Sequence, residues 1–168
     1  MTDMDFRQRF RDAMANLPAA VNIITSDGAR GRCGITASAV CSVTDSPPTM
    51  LVCINQSSYV HDLIRDNGRA CINVLDAADQ HLARTFAGAT GCDMGTRFAS
   101  GDWRPGELAL PVLPAAIVSL EGRLVDSKLV GSHSVMFVQI EHIRMRDDGE
   151  GLIYFGRRFR RLERQEAC

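Results

Sequence analysis

The stretch "GITASAVCSVT", residues 34–44, decides how this chain is read. Ile35, Ala37, Ala39, Cys41 and Val43 alternate with Thr36, Ser38, Val40, Ser42 and Thr44. Strict period-two alternation predicts a half-buried β-strand. One face is apolar. The other is small, rich in hydroxyls and uncharged. Exposed strand faces usually carry some charge as a guard against edge pairing. A face without charge or bulk fits a flat ligand laid along the strand, its polar edge met by hydroxyls and backbone amides. The competing reading is a plain solvent-facing edge.

The flanking sequence extends the pattern. "AAVNIIT" (19–25) predicts a strand and "SDGARG" (26–31) a turn. "TMLVCIN" (49–55) is almost continuously apolar, which predicts a strand covered on both faces. "NQSSYV" (55–60) leaves that strand and enters a predicted helix over 57–68, with a serine N-cap and Gly68 just past its end. Free N–H groups at a helix start, beside the Ser57 and Ser58 hydroxyls, suit a phosphate. An ordinary serine cap is the alternative.

Elsewhere, Phe6, Phe10, Ala13, Met14 and Leu17 recur at helical spacing, so a helix is predicted over 5–17 and stopped by Pro18. A strand over 70–75 and a short helix over 77–88 follow. Residues 89–114 are rich in Gly and Pro and read as a loop. Two long strands, 116–130 and 134–146, are joined by "GSH" (131–133). A last strand over 151–155 leads into the aromatic and basic cluster "YFGRRFRR" (154–161). That cluster is either a solvated tail or a lid in which an aromatic stacks and an arginine pairs with phosphate. Six or seven strands with three short helices, and no regular βαβ alternation, predict a mainly β fold with flanking helices. The expected architecture is one domain over 1–168, a closed or partly closed antiparallel barrel.

Composition narrows the function. The chain has 168 residues, 45% hydrophobic and 23% charged, with net charge −1. That balance argues against nucleic acid or an anionic membrane as partner. No apolar run approaches a membrane span, and the charged N-terminus lacks the apolar core of a signal peptide. The six cysteines show no C-x-x-C and no zinc spacing, and the four histidines form no H-x-x-x-H pair. No metal is expected, and a cytoplasmic protein with free thiols is. Neither a dinucleotide fingerprint, a Walker loop nor a G-x-S-x-G elbow is present.

Taken in order, "FRDAM", "AAVNIIT", "GITASAVCSVTDSPPTMLVCIN", "NVL", "FAG", "RF", "PVL", "SLEGRL", "GSH" and "GLIYFGRRF" resemble the flavin reductase family over residues 10–159. Within it they are most similar to the reductase components of two-component 4-hydroxyphenylacetate 3-monooxygenases. The block 34–55 carries most of the likeness. The resemblance implies an FMN-binding split barrel, antiparallel and Greek-key-like, assembled as a homodimer. It implies NAD(P)H:flavin oxidoreductase activity with FMN or FAD, and transient transfer of reduced flavin to a larger oxygenase component. By motif, Thr36, Ala37, Ser38, Ala39 and Val40 would line the isoalloxazine and ribityl chain, with Ser42 near the nicotinamide side. Asn55, Gln56, Ser57 and Ser58 would hold the flavin phosphate, and Phe86, Ala87 and Gly88 would add a further contact. His133, Tyr154 and Arg157 or Arg158 would belong to the nicotinamide side, with His133 positioning NADH or NADPH. A reductase for pyrimidine-ring oxygenation, a corrinoid reductase and a non-catalytic flavin-binding protein are the alternatives.

Overall fold

The computed structural model describes residues 3–164. Helix α1 (Asp3–Met14) leads into β1 (Ala19–Ala20) and β2 (Asn22–Ser26), which part at Val21. Next come β3 (Cys33–Ala37), β4 (Val40–Asp45), β5 (Pro48–Asn55), α2 (Val60–Asn67) and β6 (Arg69–Val74). Helix α3 (Gln80–Phe86) and helix α4 (Met94–Ala99) precede the short strands β7 (Arg104–Pro105) and β8 (Pro111–Val112). The chain then runs through β9 (Val118–Val130), β10 (His133–Met145), β11 (Gly151–Phe155) and β12 (Arg158–Leu162).

Seven strands form one antiparallel sheet in the order β3-β2-β6-β9-β10-β5-β4. Its two edge strands, β3 and β4, are consecutive in sequence and separated only by Ser38 and Ala39. Two residues span only about 7 Å, so the sheet must roll until its edges nearly meet. The Ala39 carbonyl accepts from Cys53 N at 2.9 Å, which ties the crossover to β5. Residues 34–44 are therefore not one strand, as their alternation predicts. They are the seam of a barrel, where the chain leaves one edge and joins the other. Small residues on both sides of the break keep the period-two pattern running through it, so the side chains do not announce the change of partner.

Inside the barrel pack Ile24, Val52, Ile54, Ile72, Met136 and Val138, with Ile64 of α2 closing one end. A second core lies outside it and joins Ile23, Leu75, Leu82, Phe86, Leu113 and Leu152. Strand β2 is buried at all five positions because it faces both cores. The three-stranded sheet β1-β11-β12 covers part of the second core.

Three other expectations need correction. Residues 89–114 contain α4, capped by Asp93, whose side chain accepts from Thr96 N at 2.7 Å. A six-residue helix is too short to show periodicity. Part of the basic tail is strand β12, paired with β11, and residues 165–168 of that tail lie outside the described residues. Strand β5 is covered on one face only: Val52 and Ile54 are buried, whereas Leu51 and Cys53 are half-exposed. Helix α1 forms over Asp3–Met14, ending three residues short of the predicted 17, and Phe6 and Phe10 are 58% and 57% exposed. Among the described residues no helix is long and apolar enough to cross a membrane.

Candidate functional site

Strand β3 sends successive side chains to opposite faces, and a cavity opens on each. The first, about 500 Å³, lies between the start of α2 and the end of α3 and is bordered by Ile35, Ser58, Tyr59, Ala87, Gly88 and Arg97. The second, about 290 Å³, is bordered by Thr36, Ser38, Arg84, Ala87, Tyr154 and Phe159. Ala87 belongs to both. Five of the residues expected from sequence, Thr36, Ser38, Ser58, Gly88 and Tyr154, thus gather around Ala87 from four separate stretches of chain.

Two glycines make this junction possible. A Cβ at Gly34 would sit 2.7 Å from the Phe86 ring, so β3 and α3 approach more closely than any side chain allows. Gly88 has φ +83°, the left-handed conformation that ends α3 and turns the chain along the first cavity. The Thr36 hydroxyl donates to the Ala83 carbonyl at 2.6 Å and fastens α3 to the seam.

The turn before α2 is built differently from a serine cap. The helix begins at Val60, and its N-cap is Tyr59, with no side-chain cap. Asn55 Oδ1 accepts from both Ser57 N and Ser57 Oγ at 2.9 Å. Gln56 Nε2 donates to the Gly131 carbonyl at 2.9 Å and Gln56 N to the Ser132 carbonyl at 3.0 Å. Asn55, Gln56 and Ser57 hold the turn, and Ser58 faces the cavity. Behind the turn, buried His61 lies 2.9 Å from Ser134 Oγ through Nε2 and 2.8 Å from Asp62 through Nδ1. The bond from His61, with help from Arg65, holds the Asp62 carboxyl below the usual range.

Other predicted residues fall elsewhere. The Phe86 ring is fully buried in an aromatic trio with Phe98 and Trp103, at centroid distances of 5.2 to 5.3 Å. It shapes the cavity wall from the core side. Val40 packs partly on the barrel core, Ala37 is half-buried, and Ser42 on exposed β4 borders neither cavity. His133 pairs in register with Asn55 and lies 2.9 Å from Ser132 Oγ through Nδ1. It stands by the turn before α2 and borders neither cavity, whereas Tyr154 borders the second. Arg157, at φ +61°, forms an ion pair with Asp12 of α1, and Arg158 pairs with Phe155 in the β11–β12 hairpin.

Arg97 had no expected role, yet it reaches the first cavity. Its Nε donates to the Cys92 carbonyl at 3.2 Å and its Nη1 to the Phe86 carbonyl at 3.3 Å. The only signal in the sequence is the pair "RF" three residues beyond a helix start. Arg84 also had no expected role. A wider cavity of about 730 Å³ lies away from all of these residues, beside Arg104, Glu121, His142 and Arg144. Glu121 accepts from the backbone N–H groups of Glu107 and Leu108 at 3.0 and 2.9 Å, so its carboxylate anchors a loop. Among the thiols, burial pushes Cys33 up to about 12 and raises Cys71 as well. Both behave as small core hydrophobes, poor in the thiolate a nucleophile needs.

A rolled antiparallel sheet, closed by an uncharged seam and flanked by two adjoining cavities, defines a split-barrel protein. The chain belongs to the family of flavin reductase like domains, whose model matches residues 14–163. It is 51% identical to the 4-hydroxyphenylacetate 3-monooxygenase reductase component of Pseudomonas aeruginosa, over 97% of this chain and 96% of that one. It is 46% identical to an FMN reductase (NADH) of Stutzerimonas stutzeri, over 93% of this chain and 88% of that one. Among solved structures it is similar to the NADH:FAD oxidoreductase of Streptomyces globisporus in complex with NAD and FAD fragments. There the TM-score is 0.87 and the identity 26%, over 97% of this chain and 96% of that one.

Proposed function

We propose that this protein transfers hydride from NADH to FMN or FAD and hands the reduced flavin to a larger oxygenase component. The observation that carries this reading is the junction at Ala87, where two cavities of unequal character meet. Their sizes, about 500 and 290 Å³, suit parts of two nucleotides. The first offers Ser58, the start of α2 and Arg97, which fit the phosphate end of a flavin nucleotide. The seam from Thr36 to Val40 offers small uncharged side chains for the ring.

Bound flavin supplies the hydride acceptor, so the protein needs neither nucleophile nor paired carboxylates. Its own residues orient. Hydride transfer asks that two rings be stacked about 3–3.5 Å apart, and rigid placement is worth several kcal/mol of barrier. Thr36, by fixing α3, sets the spacing between the two cavities. Tyr154 and Phe159, edge to face at 5.3 Å, wall the second cavity with a surface on which a ring can stack.

His133 takes the nicotinamide side in this reading, although within one chain it stands apart from Tyr154. A homodimer, with His133 of one copy near the seam of the other, reconciles the two positions. The half-covered face of β5 and the exposed Val43, Leu129 and Val130 support a second copy there. Sedimentation of the purified protein should give twice the chain mass. Free thiols and a need for NADH suit a cytoplasmic setting.

The deciding assay follows NADH oxidation by the purified protein with and without FMN or FAD. Flavin-dependent turnover well above the rate of NADH with free flavin supports the proposal. Tight flavin binding without faster NADH oxidation would instead mark a flavin carrier. His133→Ala should raise the KM for NADH or lower kcat, and unchanged values would remove His133 from the site.

A further inference from the structure

We propose that Arg84 is the residue that recognises a phosphate of the pyridine nucleotide, held in place by its stack on Phe159. The inference rests on the reading of the second cavity as the NADH side. Arg84 lies in the last turn of α3, one helical turn before the residues that divide the cavities. Its guanidinium carbon is 5.3 Å from the centroid of the Phe159 ring. Phe159 in turn meets Tyr154 edge to face at 5.3 Å. Among the described residues Arg84 forms no ion pair, in contrast to Arg65, Arg104, Arg146 and Arg157.

The chemistry follows from that arrangement. A guanidinium stacked on a ring keeps the N–H donors of its edge free, and their planar fork matches a phosphate in bidentate fashion. The stack also fixes the side chain in advance, so less rotamer freedom is lost on binding. A cation with no carboxylate partner at the mouth of a small cavity attracts an anion there. The first cavity already has its own cation in Arg97. One arginine on each side of Ala87 matches two phosphate-bearing ligands that meet ring to ring between them.

The phosphate could be the diphosphate bridge shared by NADH and NADPH, or the 2′-phosphate of NADPH alone. Steady-state kinetics of Arg84→Gln and Arg84→Lys, each first checked for fold by circular dichroism, separate these sources. The hydride donors are NADH, NADPH and the phosphate-free donor 1-benzyl-1,4-dihydronicotinamide, with FMN and riboflavin as acceptors. Arg84→Gln should raise the KM of a pyridine nucleotide at least fivefold with kcat within twofold. It should leave the benzyl donor and both flavin KM values unchanged, and Arg84→Lys should recover part of the loss. Equal effects on NADH and NADPH would locate the diphosphate, and an effect on NADPH alone the 2′-phosphate. Unchanged nucleotide KM values would overturn the proposal. So would a rise in the KM for FMN but not riboflavin, or an equal loss with the benzyl donor. A native protein that oxidises no NADH would sink the proposed function instead. Calorimetric titration with NAD+ and NADP+ then still decides on Arg84, because the native protein must bind one or both at least fivefold more tightly than Arg84→Gln.

Discussion

The Thr36 hydroxyl donates its only proton to the carbonyl of Ala83, 2.6 Å away. A residue whose hydroxyl invites assignment to a ligand is thus already bound to the protein, and its role is to fix α3 against the seam. Thr36→Val keeps the shape and removes one of the two hydrogen bonds that carbonyl accepts, leaving the one from Ala87 N at 3.1 Å. The expected cost is about 0.5–1.5 kcal/mol in urea unfolding, with a several-fold weaker flavin affinity by fluorescence titration. Thr36→Ser should retain both. If Thr36→Val binds flavin as the native protein does, the bond to Ala83 is irrelevant to the site.

Gly34 tests the same contact by bulk. Its missing Cβ leaves room for the Phe86 ring, which would otherwise lie 2.7 Å away, with Phe98 at 3.4 Å. Phe86 is fully buried and wedged by Phe98 and Trp103, so it has no way to retreat. Gly34→Ala should cost about 1–3 kcal/mol by overpacking. In a domain of this size that lowers Tm by roughly 2–4 °C per kcal/mol. An unchanged Tm would mean that β3 shifts freely, and the first cavity with it.

Much of this architecture is legible in the residues, and the failures have physical causes. The barrel follows from alternating strands without βαβ repetition, and the hairpin of β9 and β10 from two long patterned runs around "GSH". The small uncharged composition of the seam is legible too, and the structure sets two cavities beside it. Its break at Ser38 and Ala39 is invisible, because strand partners are chosen by tertiary closure and both residues suit either edge. Arg84 and Arg97 escaped for a related reason. An arginine on a short helix reads as a solvated face until the fold sets Phe159 beneath one and the Phe86 carbonyl beside the other. The serines of "NQSSYV" look like a helix cap, but the first of them is claimed by Asn55.

Ser134 and His61 give a third prediction. Both are 5% exposed, and their bond of 2.9 Å crosses from β10 to α2. Ser134→Ala leaves one imidazole nitrogen buried without a partner. The desolvation penalty of such a group is about 1–3 kcal/mol. The urea midpoint should fall with an unchanged m value, since no surface is newly exposed in the native state. A loss below about 0.5 kcal/mol would show that the ring is satisfied by another partner.

The last prediction concerns Asp79, at the start of α3. Its Oδ2 is buried and accepts no hydrogen bond. Burial raises its pKa, Asp76 adds to the rise, and the pull of His81 and Arg146 offsets only part of it. The native state therefore holds this proton more tightly than the unfolded chain does. The stability that Asp79 lends is full below the unfolded value of about 4 and is lost as pH rises through the higher native value. At pH 7 the carboxylate opposes folding. Asp79→Asn removes the charge at similar volume, so the variant should be more stable than its parent at pH 7, with the gap narrowing towards pH 4. Urea unfolding of both proteins at pH 4, 5.5 and 7 measures this directly. A parent that gains on the variant as pH rises would show that attraction to Arg146 outweighs burial.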